Sequence, residues 1–222
     1  MSQLPLLQVK GLCVDFSTRK GNVQVLDHLD LHLAPGETLG IVGESGCGKS
    51  MTALSIMQLI PVPPGNISGG QILLNDTDLL QLSESRMQDI RGNDISMIFQ
   101  EPMTSLNPVF TIGTQVSENI CRHQSATRLE ARDKTIQILE AVGIPAPEVR
   151  IKQYPHELSG GMRQRIMIAM AISCQPKVLI ADEPTTALDV TIQAQIFDLL
   201  RQIQKEMETS IILITHDMSV IA

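Results

Sequence analysis

Gly43-Glu44-Ser45-Gly46-Cys47-Gly48-Lys49-Ser50 is a G-x-x-x-x-G-K-S run, and it is the first place where residue types and spacing could carry chemistry. Glycines let backbone N–H groups close around a phosphate where side chains would obstruct. Lys49 brings a mobile positive charge to the outer phosphates, and the Ser50 hydroxyl is a ligand for Mg2+. Asp182-Glu183 is a second centre. One acid at a strand end can hold Mg2+ through water, and the next can accept a proton from an attacking water. Gln100 and His216 each follow an apolar run, at the edge where open α/β sheets bind ligands. There His216 would meet the terminal phosphate. Ser159-Gly160-Gly161 is a good N-cap followed by two glycines, a ready anion site, although taken alone the signal is weak and an ordinary capped helix is the commoner reading.

The elements around these residues are legible in outline. Thr38 to Val42 is a short apolar run, read as a buried strand that feeds the phosphate loop, and residues from Met51 to Ile60 have helical spacing. The new helix adds its positive N-terminal end. Leu6 to Phe16 and Val23 to Leu33 alternate as two strands about a polar turn from Ser17 to Asn22. Phe16 is the one aromatic there, and its residue type alone suggests core packing. Gln71 to Leu74, Asp94 to Phe99, Lys177 to Ala181 and Ser210 to Ile214 are further short strands. The segment from Glu101 to Pro108 holds two prolines and is a shaped loop. Residues Ile112 to Val142, Met162 to Ser173 and Val190 to Glu206 are helical, and Pro145 and Pro147 close the first of these.

At 222 residues and 43% hydrophobic, the chain can bury one core, with room for an inserted lobe. A net charge of −7 argues against broad nucleic-acid binding. No run of 18 apolar residues and no signal-peptide pattern occurs, so neither a membrane span nor export is expected. Cys13, Cys47, Cys121 and Cys174 are scattered without ligand spacing and are expected to be free thiols of a reducing cytosol.

Taken in order, Gly43 to Ser50, Gln100, Leu158-Ser159-Gly160-Gly161-Met162-Arg163-Gln164, Lys177 to Glu183, Thr186 to Asp189 and His216 resemble an ABC transporter ATPase subunit over essentially the whole chain. Phe99 to Pro108 and Ala181 to Thr191 are similar to the subgroup that powers bacterial import of dipeptides, oligopeptides, nickel or glutathione. The resemblance implies an α/β fold: a phosphate-loop (RecA-like) ATPase core with an N-terminal antiparallel β subdomain and an inserted α-helical subdomain. Residues 1–100 and 155–222 would form the core and 101–154 the helical subdomain. A chain that stops at Ala222, inside a helix after His216, is expected to be truncated.

The same resemblance implies that Phe16 stacks on adenine and that Gly43, Glu44, Ser45, Gly46, Cys47, Gly48, Lys49, Ser50 and Met51 bind ATP. Cys47 stands where Ser is commoner, a change the backbone donors should tolerate. Ser50, Gln100 and Asp182 would hold Mg2+, Glu183 would be the general base, and Gln100 and His216 would sense and orient the γ-phosphate. Ser159, Gly160 and Gly161 would bind the ATP of a second, head-to-tail cassette. Two membrane permease subunits and, indirectly, a periplasmic or extracellular solute-binding protein would be partners at the cytoplasmic face of the plasma membrane. The alternative within this fold is a soluble ATPase acting on ribosomes or nucleic acid, which the loop after Gln100 disfavours. A kinase or GTPase on the same loop is disfavoured by the Leu-Ser-Gly-Gly run.

Overall fold

The computed structural model describes residues 4–44, 46–101, 105–186 and 188–217. Of the expected ligand residues Ser45 lies outside this set, as do Pro102, Met103, Thr104 and Ala187 of the resemblance motifs. The strands divide into two sheets according to how their side chains are buried. Four strands, β1 (Leu7–Thr18), β2 (Gly21–Leu33), β4 (Gly65–Leu74) and β5 (Thr77–Asp78), form an antiparallel sheet in the order β2-β1-β4-β5. On β1, Leu7, Val9, Leu12 and Val14 are fully buried beside more exposed neighbours, the mark of a sheet with one face covered.

The other four, β3 (Thr38–Val42), β6 (Ile95–Ile98), β7 (Val178–Asp182) and β8 (Ser210–Thr215), are parallel in the order β3-β8-β7-β6. Every residue of β6, β7 and β8 is buried, as expected when both faces of a sheet are covered. Alternation along β7 divides the interior in two. Val178 and Ile180 pack with Ile212 and Ile214 against helix α1 (Lys49–Ile56) and the antiparallel sheet. Leu179 and Ala181 join Ile211 and Leu213 on the opposite face. That face is covered by helices including α6 (Gly160–Ile172) and α7 (Val190–Met207).

Helices α3 (Ile112–Gln124), α4 (Arg128–Ala141) and the short α5 (Pro147–Arg150) lie between β6 and β7 in the chain. The predicted helical run from Ile112 to Val142 is thus two helices. Ser125 takes left-handed φ 49°, and Thr127 then starts α4 with a reciprocal capping box to Glu130. Two further features depart from expectation. Helix α2 (Glu84–Ile90), capped by Ser83, was not anticipated. The short strand predicted at Gln71 to Leu74 begins at Gly65, because β4 pairs along β1 from Phe16↔Gly65 to Leu7↔Leu74. Gly70 permits the crossing: at φ 97°, any Cβ there would lie 2.6 Å from the Leu12 Cα.

Candidate active site

Parallel strands bring their carboxyl ends to one edge, so the residues that follow them meet there whatever their distance in sequence. Val42 pairs with Thr215, Asp182 with Ile214, and Ile98 with Ala181. The phosphate loop follows β3, His216 follows β8, Asp182 and Glu183 end β7, and Gln100 follows β6.

In the loop, Gly48 has φ 93° and is the N-cap of α1. A side chain there would meet Leu26 Cδ2 at 2.9 Å and the Val25 carbonyl at 3.2 Å, so the loop rests on β2 at a point only glycine fits. Lys49 is buried, and its ammonium donates to the carbonyls of Gly43 and Glu44, both at 2.7 Å. Cys47 Sγ lies 3.8 Å from the same nitrogen. Ser50 and Met51 are half-buried in the first turn of α1.

Asp182 is buried at the end of β7, with Oδ1 enclosed and no hydrogen-bond partner. Burial pushes its carboxyl above the usual carboxylate range, the hydrogen bond from Ser50 pulls it back, the Glu183 charge raises it and the Lys49 charge lowers it. A buried carboxylate oxygen without a donor, beside a serine hydroxyl, is an oxygen-donor arrangement that fits a hard cation. The Ser50 and Asp182 residues present therefore fit Mg2+.

Glu183 adopts φ 45°, unusual for a non-glycine residue, and its N–H donates to the Ile214 carbonyl at 2.9 Å. Its Oε2 gathers the surrounding groups. Gln100 Nε2 donates to it at 2.9 Å, Thr186 Oγ1 donates at 3.0 Å, and His216 Nδ1 lies at 3.5 Å. Thr186 enters the sequence reading only as the first residue of the Thr186 to Asp189 motif, not as a site residue. The signal was its place three residues beyond Glu183, closing the turn through Thr186 N–H to the Glu183 carbonyl at 3.2 Å.

Two expected ligand groups lie elsewhere on the chain. Ser159 caps α6 by accepting the Met162 N–H at 3.3 Å, and the start of α6 is exposed with Gly161 beside Ile192 of α7. Phe16 is half-buried on β1, its ring lying over Gly65 of β4. It packs at the margin of the core cluster beneath the antiparallel sheet.

The Asp182 carboxylate gives a stability prediction. A folded-state pKa above the unfolded one stabilises at pH below the unfolded value, and that stabilisation is lost as pH rises through the folded value. At neutral pH the charge is therefore a liability to the unliganded protein. Without Mg2+ or nucleotide, Asp182→Asn should be more stable at neutral pH by about 1 kcal/mol, roughly 2–4 °C in Tm. The gap should close in mildly acidic buffer. Thermal melts of both proteins at the two pH values test this, and a variant that melts lower at neutral pH refutes it.

A family profile described as ABC transporter matches residues 26–186. The oligopeptide transport ATP-binding protein OppD of Bacillus subtilis (strain 168) is 55% identical over 217 residues, spanning 98% of this chain and 61% of OppD. The dipeptide transport ATP-binding protein DppD of Haemophilus influenzae is 52% identical over 219 residues, spanning 99% of this chain and 66% of that relative. The chain thus spans a little under two thirds of the length of these relatives. The dimeric, post-hydrolysis structure of the ATP-binding cassette MJ0796 bound to ADP and Pi superposes with a TM-score of 0.85 at 26% identity, covering 96% of this chain and 89% of that one. With its profile match across most of its length and its strand-end residues set out as above, the chain belongs to the ABC transporter family.

Proposed function

We propose that this chain is the ATP-binding, ATP-hydrolysing subunit of a bacterial importer for di- or oligopeptides, or for a related small solute such as nickel or glutathione. The observation that carries the reading is the meeting of the phosphate loop, Asp182, Glu183, Gln100 and His216 at one sheet edge. Peptide-transport relatives at more than half identity support the solute class.

In this reading the loop N–H groups and the α1 N-terminus hold the β- and γ-phosphates, and the Lys49 ammonium exchanges carbonyls for phosphate oxygens. Ser50, Asp182 and Gln100 would hold Mg2+, which neutralises phosphate charge when bound. Gln100, Thr186 and His216 fix Glu183 through Oε2, so Oε1 takes the proton of the attacking water. That water's oxygen bonds to the γ-phosphorus as the bond to the bridging oxygen breaks, and ADP leaves with the electron pair. His216 orients the γ-phosphate and the water, and Phe16 serves as the adenine platform.

The exposed start of α6, with Ser159, Gly160 and Gly161, binds the ATP of a second cassette arranged head to tail. Residues 101–154 form the helical lobe that passes motion to two permease subunits, and a solute-binding protein acts through those permeases. The location is peripheral, at the cytoplasmic face of the plasma membrane; among the described residues no helix is long and apolar enough to cross one. Nucleic acid is not a partner, in keeping with the net charge of −7. Tagged in its own cell and solubilised in mild detergent, the protein should copurify with two integral membrane subunits. Recovery with ribosomes or DNA, and without membrane subunits, would overturn the importer reading.

A further inference from the structure

The β1–β2 ladder shifts register three times along its length, and one of these shifts falls between Leu12 and Val14. Leu12 pairs with Leu29 and Val14 with Leu26, so Cys13 on β1 faces two residues, Asp27 and His28, on β2. This is a β-bulge, a device that re-aims side chains. His28 takes φ 45°, a conformation that costs a non-glycine residue about 1 kcal/mol or more. The bulge turns the His28 N–H onto Cys13 Sγ, at 3.4 Å. It also sets His28 Nδ1 2.6 Å from Asp27 Oδ1, which accepts a further bond from Gln24 Nε2 at 3.1 Å.

The metal-ligating atoms of Cys13, Asp27 and His28 all lie within 4.8 Å of one another. Cys13 is buried, whereas Asp27 and His28 are exposed, so the sulfur lies beneath two solvent-facing side chains. We propose that this bulge is a binding site for a divalent transition metal of borderline softness, of the Zn2+ class. Thiolate, imidazole and carboxylate are the donor types such ions select, and three protein ligands leave a fourth position for water. Mg2+, which takes oxygen ligands, would not compete here, which separates this site from the one at Ser50 and Asp182. Tetrahedral ligand bonds of about 2.0–2.3 Å ask the donors to draw closer. Rotation of the exposed Asp27 and His28 side chains supplies that movement without disturbing the ladder. On binding, the Cys13 thiol gives its proton to solvent, the sulfur lone pair bonds the metal, and His28 binds as neutral imidazole.

The probe is Co2+, titrated into the intact, reduced protein in buffer free of nucleotide. One equivalent should produce the near-ultraviolet thiolate-to-cobalt absorption and the visible bands of a four-coordinate ion, and Zn2+ should abolish both. Cys13→Ser should lose the thiolate absorption, while Cys47→Ser should keep it. Asp27→Asn and His28→Asn should each weaken Co2+ binding at least tenfold. Both change exposed side chains, and Asn tolerates the left-handed backbone at position 28. If Cys13→Ser does not fold, as judged by circular dichroism, these two variants decide the question. Absence of thiolate absorption in the parent protein, its survival in a folded Cys13→Ser, or parental affinity in both Asn variants would overturn the proposal.

Discussion

ATP turnover is expected to fall about 10²–10⁴-fold when Glu183 is replaced by Gln, while ATP binding persists. The substitution is nearly isosteric, and what surrounds the carboxylate explains why it should be selective. Gln100 and Thr186 donate to Oε2, and an amide oxygen at that position accepts the same two bonds. The backbone at φ 45° and its N–H bond to Ile214 do not depend on the side chain. What the amide cannot do is take a proton from water. With the chemical step stalled, ATP should remain in place, and in the proposed head-to-tail pair it would go on bridging two cassettes, so an ATP-dependent dimer should accumulate. Phosphate release at saturating Mg-ATP and gel filtration with and without ATP read the two effects. Parental turnover in Glu183→Gln would remove Glu183 from the role of base.

The parts of this fold that could be read from the sequence are those whose character is local. Strands β6, β7 and β8 are short apolar runs because both faces of the parallel sheet are covered, and each run ends where the polar residues begin. Asp182, Glu183 and His216 were therefore recognisable as edge residues before any pairing was known. The first half of β4 was not recognisable. Gly65 to Gly70 has no apolar alternation, and its extended state comes from pairing with β1 across a close approach that Gly70 permits. Helix α2 buries only Met87, too little for a periodic signal, and rests on its Ser83 cap. The break before α4 was legible in principle, since Thr127-Arg128-Leu129-Glu130 is a capping-box pattern. The Asp27–His28 bulge could not be found from either strand alone, because register belongs to the pair. Thr186 stayed hidden for a similar reason, as its hydroxyl gains meaning only once the turn folds it back on Glu183.

Lys49→Ala should weaken ATP binding by about 10²–10³-fold, the equivalent of one or two lost hydrogen bonds to a charged group. The loss should be graded by phosphate count, largest for ATP, smaller for ADP and slight for AMP, because the ammonium serves the outer phosphates. The geometry adds a second consequence. Lys49 is 7% exposed and braces the loop by donating to Gly43 and Glu44. Alanine removes both bonds and leaves two carbonyls to be met by water. The unliganded variant should therefore lose about 1 kcal/mol of stability, seen as a Tm lowered by roughly 2–4 °C. Calorimetric titration with the three nucleotides separates the electrostatic effect from the structural one. A variant that merely unravelled the loop would lose affinity for all three nucleotides equally, whereas removal of a charge from a loop that still closes produces the gradient. Equal losses would mean that Lys49 holds the loop together without touching phosphate, and ATP affinity within twofold of the parent would detach nucleotide binding from this loop altogether.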